Sequence, residues 1–181
     1  MKKIILLVVT CAVLISLTVG PTVMAAGKNG PAGKTNVGHL YLYEKNPSTW
    51  GIIEGGAWGK MRYNLSGSTF DFVFNGHGLE LGWSYMLIYY EDPGLGPWTV
   101  PPDIICLGSG TANGGGNVHI QGSVDTGDLP TKDDVNYPHG AKIWLVLSDD
   151  VDCDNKVFRW RWNPTEYLFE YDLITFDDAD E

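Results

Sequence analysis

The sequence predicts an all-β fold, an antiparallel β-sandwich of jelly-roll or immunoglobulin-like kind, preceded by a signal peptide. Three observations predict it. Apolar and polar residues alternate with period two in most segments after residue 36. Turn formers are frequent, with 23 Gly and 10 Pro among 181 residues. No stretch of that region sustains a helical period. Short strands with no helix to cover a sheet bury their apolar faces by packing two sheets together; a small closed barrel is the alternative.

The first segment reads as an address. Lys2 and Lys3 precede an apolar run from Ile4 to Val19, Pro21 follows, and Val23-Met24-Ala25-Ala26 supplies the small residues that signal peptidase needs. Cleavage is expected after Ala25. The apolar run is shorter than the ~20 residues of a spanning helix. Val8-Val9-Thr10-Cys11 loosely imitates a lipobox, but the run continues past Cys11. The expected organisation is a signal peptide over 1–25, a flexible lead over 26–36, a sandwich domain over 37–176 and an acidic tail over 177–181. The expected location is secreted, extracellular or in the cell envelope, with no membrane partner after cleavage.

Removing residues 1–25 leaves 156 residues and moves the net charge from −10 to −12. Such a chain is a poor non-specific partner for nucleic acid, which binds through lysines and arginines. The full chain, with 44% hydrophobic and 12% aromatic residues, has ample surface to bury, so disorder is excluded. The mature chain keeps Cys106 and Cys153. In an oxidising compartment the pair reads as a disulfide closing a loop of about 47 residues and contributing roughly 4 kcal/mol on the chain-entropy model.

The strands follow in order. His39 to Tyr43 alternates. Lys60 to Leu65 sets Met61, Tyr63 and Leu65 against Lys60, Arg62 and Asn64. Phe70, Phe72 and Phe74 face away from Asp71. Tyr85 to Tyr90 is apolar on both faces, as a central strand is. Ile104 to Leu107, Val118 to Val124 and Ile143 to Leu147 are rich in β-formers. Val157 to Trp162 alternates, and Tyr167 to Phe176 places Tyr167, Phe169, Tyr171 and Leu173 on one face. The glycine run Gly108 to Gly116 reads as a hairpin turn, since a phosphate cradle would end in Gly-Lys-Ser/Thr before a helix.

Gly76-His77-Gly78-Leu79, Tyr85-Met86-Leu87-Ile88-Tyr89-Tyr90, Gly108-Ser109-Gly110-Thr111-Ala112-Asn113 and Gly116-Asn117-Val118-His119-Ile120 run in that order, and Trp162-Asn163-Pro164-Thr165-Glu166-Tyr167 stands near the end. The string from His39 to Phe176 resembles a group of small exported β-sandwich proteins of archaea, especially methanogens, with no assigned activity. The resemblance implies secretion and a β fold. It carries no catalytic residues.

Four constellations bear on chemistry. In Asp149-Asp150-Val151-Asp152-Cys153-Asp154-Asn155, alternate acids at Asp150, Asp152 and Asp154 make a candidate calcium site, because calcium takes six to eight oxygens. The loop departs from an EF-hand at Asn155 and Arg161, so further ligands such as Asp133 or Asp134 are needed. A solvated acidic turn is the plainer reading. Asp125-Thr126-Gly127 spells the aspartic-protease triplet, but one copy among Asp, Gly and Pro is a loop. Seven tryptophans supply flat faces for sugars. Those on strands are expected in the core, whereas Trp98 and Trp50 are candidate ligand-binding residues. Glu54, Glu80 and Glu166 are candidate carboxylates for glycoside hydrolysis. Asn64-Leu65-Ser66 is a candidate glycosylation sequon, and the four histidines lack zinc-ligand spacing.

These residues predict a non-catalytic secreted binding or cell-envelope module with a candidate calcium site at residues 149–155, whose partner is a glycan or an envelope component. Beyond calcium no cofactor is implied. One alternative is a small secreted hydrolase acting on glycans with carboxylates of the long loop Val124 to Gly140, namely Asp125, Asp128, Asp133 and Asp134. The other is a structural surface-layer component.

Overall fold

The computed structural model describes residues 35–92, 103–159 and 161–180. The expected signal peptide and Trp98 lie outside them. The strands are β1 (Val37–Tyr43), β2 (Trp58–Asn64), β3 (Ser66–Gly67), β4 (Phe70–His77), β5 (Ser84–Tyr90), β6 (Ile104–Thr111), β7 (Val118–Val124) and β8 (Lys142–Leu147). Four short ones follow: β9 (Val151–Asp152), β10 (Val157–Phe158), β11 (Phe169–Glu170) and β12 (Asp177–Asp178). The fold is all-β. A five-stranded antiparallel sheet, β11-β1-β2-β4-β7, and a three-stranded one, β6-β5-β8, share one core, an arrangement consistent with a β-sandwich.

The inward phase of each main strand builds that core. Leu40 and Leu42, Met61 and Tyr63, and Phe70, Phe72 and Phe74 come from one sheet, and Tyr85, Leu87, Tyr89, Ile143 and Leu145 from the other. Burial raises the Tyr63 hydroxyl to about 12. Truncating a fully buried ring such as Phe74 costs about 3–5 kcal/mol.

β5 is the centre of its sheet and is buried on both faces, as its continuous apolar run requires. Its other face, with Ile104, Trp144 and Val146, packs under Val151, Tyr167 and Phe169 in a second core. The cover is held down by the Cys106–Cys153 disulfide, with Cα atoms 5.7 Å apart. It joins β6 to the residue after β9.

The C-terminal segment laces the two sheets along one side. Leu168 bridges to Leu145 of β8 while the next two residues pair with β1. Ile174 bridges to Ala141, Phe176 to Leu129, and β12 runs parallel to β3. The acidic tail is therefore in the fold at Asp177 and Asp178, and the backbone N–H of Ala179 still donates to Gly67 at 3.0 Å. On the opposite side β6 turns into β7 over residues 112–117. There a Cβ on Gly110 would lie 2.8 Å from Val118 Cγ2, so glycine permits the close approach. Gly116 has φ +69°, and its carbonyl accepts from Leu79 N–H at 3.0 Å, which brings the Gly76–Leu79 and Gly116–Ile120 segments together.

Three expectations need correction. The run Gly108 to Gly116 is only partly a turn, because β6 continues to Thr111. Among the described residues of Val157 to Trp162, Val157–Phe158 is strand while Arg159, Arg161 and Trp162 are not. Tyr167 to Phe176 is not one strand. It bends at Tyr171 and Asp172 and changes phase there, so Tyr167 and Phe169 are buried, Tyr171 and Leu173 are exposed, and Ile174 and Phe176 are buried. In each case the partner ladder, absent from a local pattern, decides where the strand ends.

Candidate functional site

The acidic turn after β8 does not gather its carboxylates. Asp150 is 1% exposed and turns inward, where its Oδ2 accepts from the Tyr167 hydroxyl at 2.6 Å and from Asn163 Nδ2 at 2.8 Å. Asp152 Oδ1 accepts from Asn155 N–H, and its Oδ2 lies 3.9 Å from Arg159. The Asn155 hydrogen bonds and Arg159 hold its carboxyl below the usual range. Asp154 is exposed. Among the described residues no group of three or more His, Cys, Asp and Glu side chains is arranged to hold a metal ion. The turn is built to seat Tyr167 and Arg159, whose Nε donates to the Val151 carbonyl at 2.7 Å.

The acids of the long loop are likewise dispersed. Asp134 is buried, accepting from the Tyr89 hydroxyl at 2.7 Å and from Asn136 N–H at 2.8 Å. Asp128 accepts from the backbone of Asp178 at 2.8 Å. Asp125 and Asp133 are exposed. Asp125-Thr126-Gly127 lies between β7 and the Leu129 bridge as a loop.

The candidate sequon is engaged within the fold. Asn64 Nδ2 donates to Thr69 O at 2.8 Å and its Oδ1 accepts from Asp71 N–H at 2.8 Å, closing the β2–β4 connection. Two of the three candidate glutamates share a cleft. Glu80 and Glu166 line a cleft of about 230 Å³ with Glu44 and Tyr85, while Glu54 lies outside it. Both acids act on Tyr85, whose hydroxyl accepts from Glu80 N–H at 3.1 Å.

The expectation for the strand tryptophans also needs correction. Trp144 is buried, but Trp58, Trp83 and Trp162 are exposed. Trp160 lies outside the described residues. Trp50, with φ +56°, is half exposed and meets the edge of buried Phe169 at 5.1 Å. Trp162 touches the same ring at 6.2 Å.

Trp58 is part of a larger array. Residues directly opposite in antiparallel strands share a face, so the ladder fixes rows on the outer side of the five-stranded sheet. One row is Tyr43, Trp58 and His77; the next is Tyr41, Lys60, Asn75 and His119; a third is His39, Arg62, Val73 and Gln121. Asn64, Asp71 and Ser123 continue the face, which measures roughly 20 Å along the strands and 14 Å across.

The aromatic end is ordered by ring contacts. Tyr41 and Tyr43 stack at 6.3 Å, Tyr171 meets Tyr43 edge-on at 5.9 Å, and Trp58 lies 4.6 Å from the His77 ring. Lys60 Nζ sits 5.4 Å from the Tyr41 ring centre. Burial, with Tyr41 and Tyr171 nearby, raises the Tyr43 hydroxyl. Burial together with Lys60 and Arg62 lowers His39.

Polar groups follow the rings. His77 Nδ1 donates to Asn117 Oδ1 at 2.7 Å, and His119 Nδ1 to Asn75 Oδ1 at 2.8 Å. An amide oxygen only accepts, so Nδ1 carries the proton in each pair and Nε2 is an acceptor. Beside Arg62 a groove of about 510 Å³ is lined by Asn36, Asn64, Asp71, Gln121 and Ser123.

Sequence reasoning missed Tyr41, Tyr43 and Tyr171 as site residues. The available signal was the phase of β1, where His39, Tyr41 and Tyr43 oppose Leu40 and Leu42, combined with Lys60 and Arg62 in the outward phase of β2. No family model, curated protein or solved structure matches the chain.

Proposed function

We propose that the chain is an exported, non-catalytic β-sandwich module that binds glycan on the outer face of its five-stranded sheet. One observation carries the reading. Exposed Tyr41, Trp58 and Tyr171, with half-buried Tyr43, form an aromatic end beside a ladder-fixed surface that continues directly into amides, imidazoles and hydroxyls. Flat rings take the C–H faces of pyranoses, and fixed polar groups beside them orient the sugar hydroxyls. Strand-mounted side chains do this with little ordering cost. The test is a glycan array probed with the chain from residue 26 onward and with Tyr41→Ala/Trp58→Ala. Hits that vanish in the variant at unchanged melting temperature are expected; an array without hits overturns the reading.

A second reading is favoured by the cleft that Glu80 and Glu166 line. Two carboxylates flanking a glycosidic bond are the machinery of glycoside hydrolysis. A small secreted hydrolase would then use this cleft, and Glu80→Gln and Glu166→Gln would each abolish release of reducing sugar. Turnover that survives both substitutions removes that reading.

A further inference from the structure

We propose that the ligand of the five-stranded face is an anionic polysaccharide, a pyranose polymer bearing carboxylates. This rests on the glycan-binding reading of the same face and names its substrate class. A chain of net charge −10 repels polyanions as a whole, yet this face is locally cationic. Lys60 and Arg62 project from adjacent rows of β2, and among the described residues neither has a carboxylate within 4.0 Å. The charged and titratable groups around them are His39, Tyr41 and Tyr43 on β1, Asp71 and His77 on β4, and His119 on β7. Asp71 is the one acid in the outward positions of these four strands, and it already accepts from Thr69 Oγ1 at 3.0 Å. Three of the chain's four histidines stand here.

The placement of the cations selects the ligand. Lys60 lies against the Tyr41 ring, and Arg62 borders the polar groove. A sugar stacked on the aromatic end therefore places a ring carboxylate beside Lys60, and its neighbour along the polymer meets Arg62. Arginine also takes carboxylates with two parallel hydrogen bonds. A small anion would use the cations and leave the rings idle; a neutral glycan would use the rings and leave two cations unanswered.

The experiment is affinity electrophoresis and calorimetry of the chain from residue 26 onward with polygalacturonate, with the same polymer after carboxyl reduction, and with inorganic polyphosphate. Polygalacturonate is expected to bind about tenfold more tightly than the reduced polymer, the effect of two modest ion pairs. Lys60→Gln/Arg62→Gln is expected to erase that gap by bringing polygalacturonate down to the affinity of the reduced polymer, at unchanged melting temperature. Equal affinity for the two sugar polymers overturns the charge preference and leaves the glycan face standing. Binding of neither overturns both. Polyphosphate binding as tightly as polygalacturonate, in wild type and Tyr41→Ala alike, overturns the proposal in favour of ion capture alone.

Discussion

On the three-stranded sheet the outward aromatics Tyr90 and Trp144 are 3% and 5% exposed, stacked on one another at 3.9 Å beneath the segment that carries Val151, Tyr167 and Phe169. On the five-stranded sheet the outward Tyr41 and Trp58 are 38% and 39% exposed. The side-chain types are alike, and the cover differs. A disulfide and a buried Asp150–Tyr167–Asn163 network hold the segment after β8 against one sheet. The other sheet presents its rings at the surface, alongside cations and amides. An outward aromatic on a strand is thus core or contact surface according to what the chain lays over it.

The largest way to break this contrast is to release the cover. Cys106→Ser/Cys153→Ser removes a cross-link spanning 47 residues, and urea unfolding should show a loss of about 4 kcal/mol. Glycan binding by the open face should persist in the fraction that remains folded. Next comes Tyr167→Phe, which takes a donor from the buried Asp150 carboxylate and should cost about 1–3 kcal/mol in the same measurement. On the open face the balance reverses. Trp58→Ala should change stability by about 1 kcal/mol or less, yet weaken glycan binding in a titration.

Two pH effects sharpen the comparison further. Glu170, which accepts from Trp144 Nε1 at the margin of the second core, is raised by burial above its ordinary 4.5. The folded chain holds that proton more tightly than the unfolded one. Its contribution therefore favours folding below about 4.5 and is lost as pH rises through the folded value. Glu170→Gln should flatten the urea midpoint over that window.

His39 has the opposite sign and the smallest effect. Its folded value is lowered from 6.5, so stability falls as pH drops through 6.5 toward the folded value. Polygalacturonate should move the His39 titration upward in an NMR experiment, because a bound carboxylate favours the charged ring.

Much of the fold was legible in residue patterns. Met61 and Tyr63 against Lys60 and Arg62, and the three phenylalanines of β4 against Asp71, report their faces directly, since burial on one side imposes period two. The pairing of Cys106 with Cys153 followed from there being two cysteines beyond the expected signal peptide. The site was far less legible. Acids spaced at Asp150, Asp152 and Asp154 suggested convergence, but the turn sends the first into the core. Tyr41 and Trp58 come from strands joined by a connection of 14 residues, Glu44 to Ala57, so no short window of sequence contains the face they share.

By itself the sequence determined the strand-rich architecture, the inward phase of the main strands and the cysteine pair, because each depends on local alternation or on simple counting. Tertiary structure alone decided which outward face is closed and which is open. It placed Lys60 beside Tyr41 and Arg62 opposite His39 on the next row, and it set Glu80 and Glu166 on one cleft. Those outcomes depend on ladder register and on the path of the segment after β8, which are long-range properties of the folded chain.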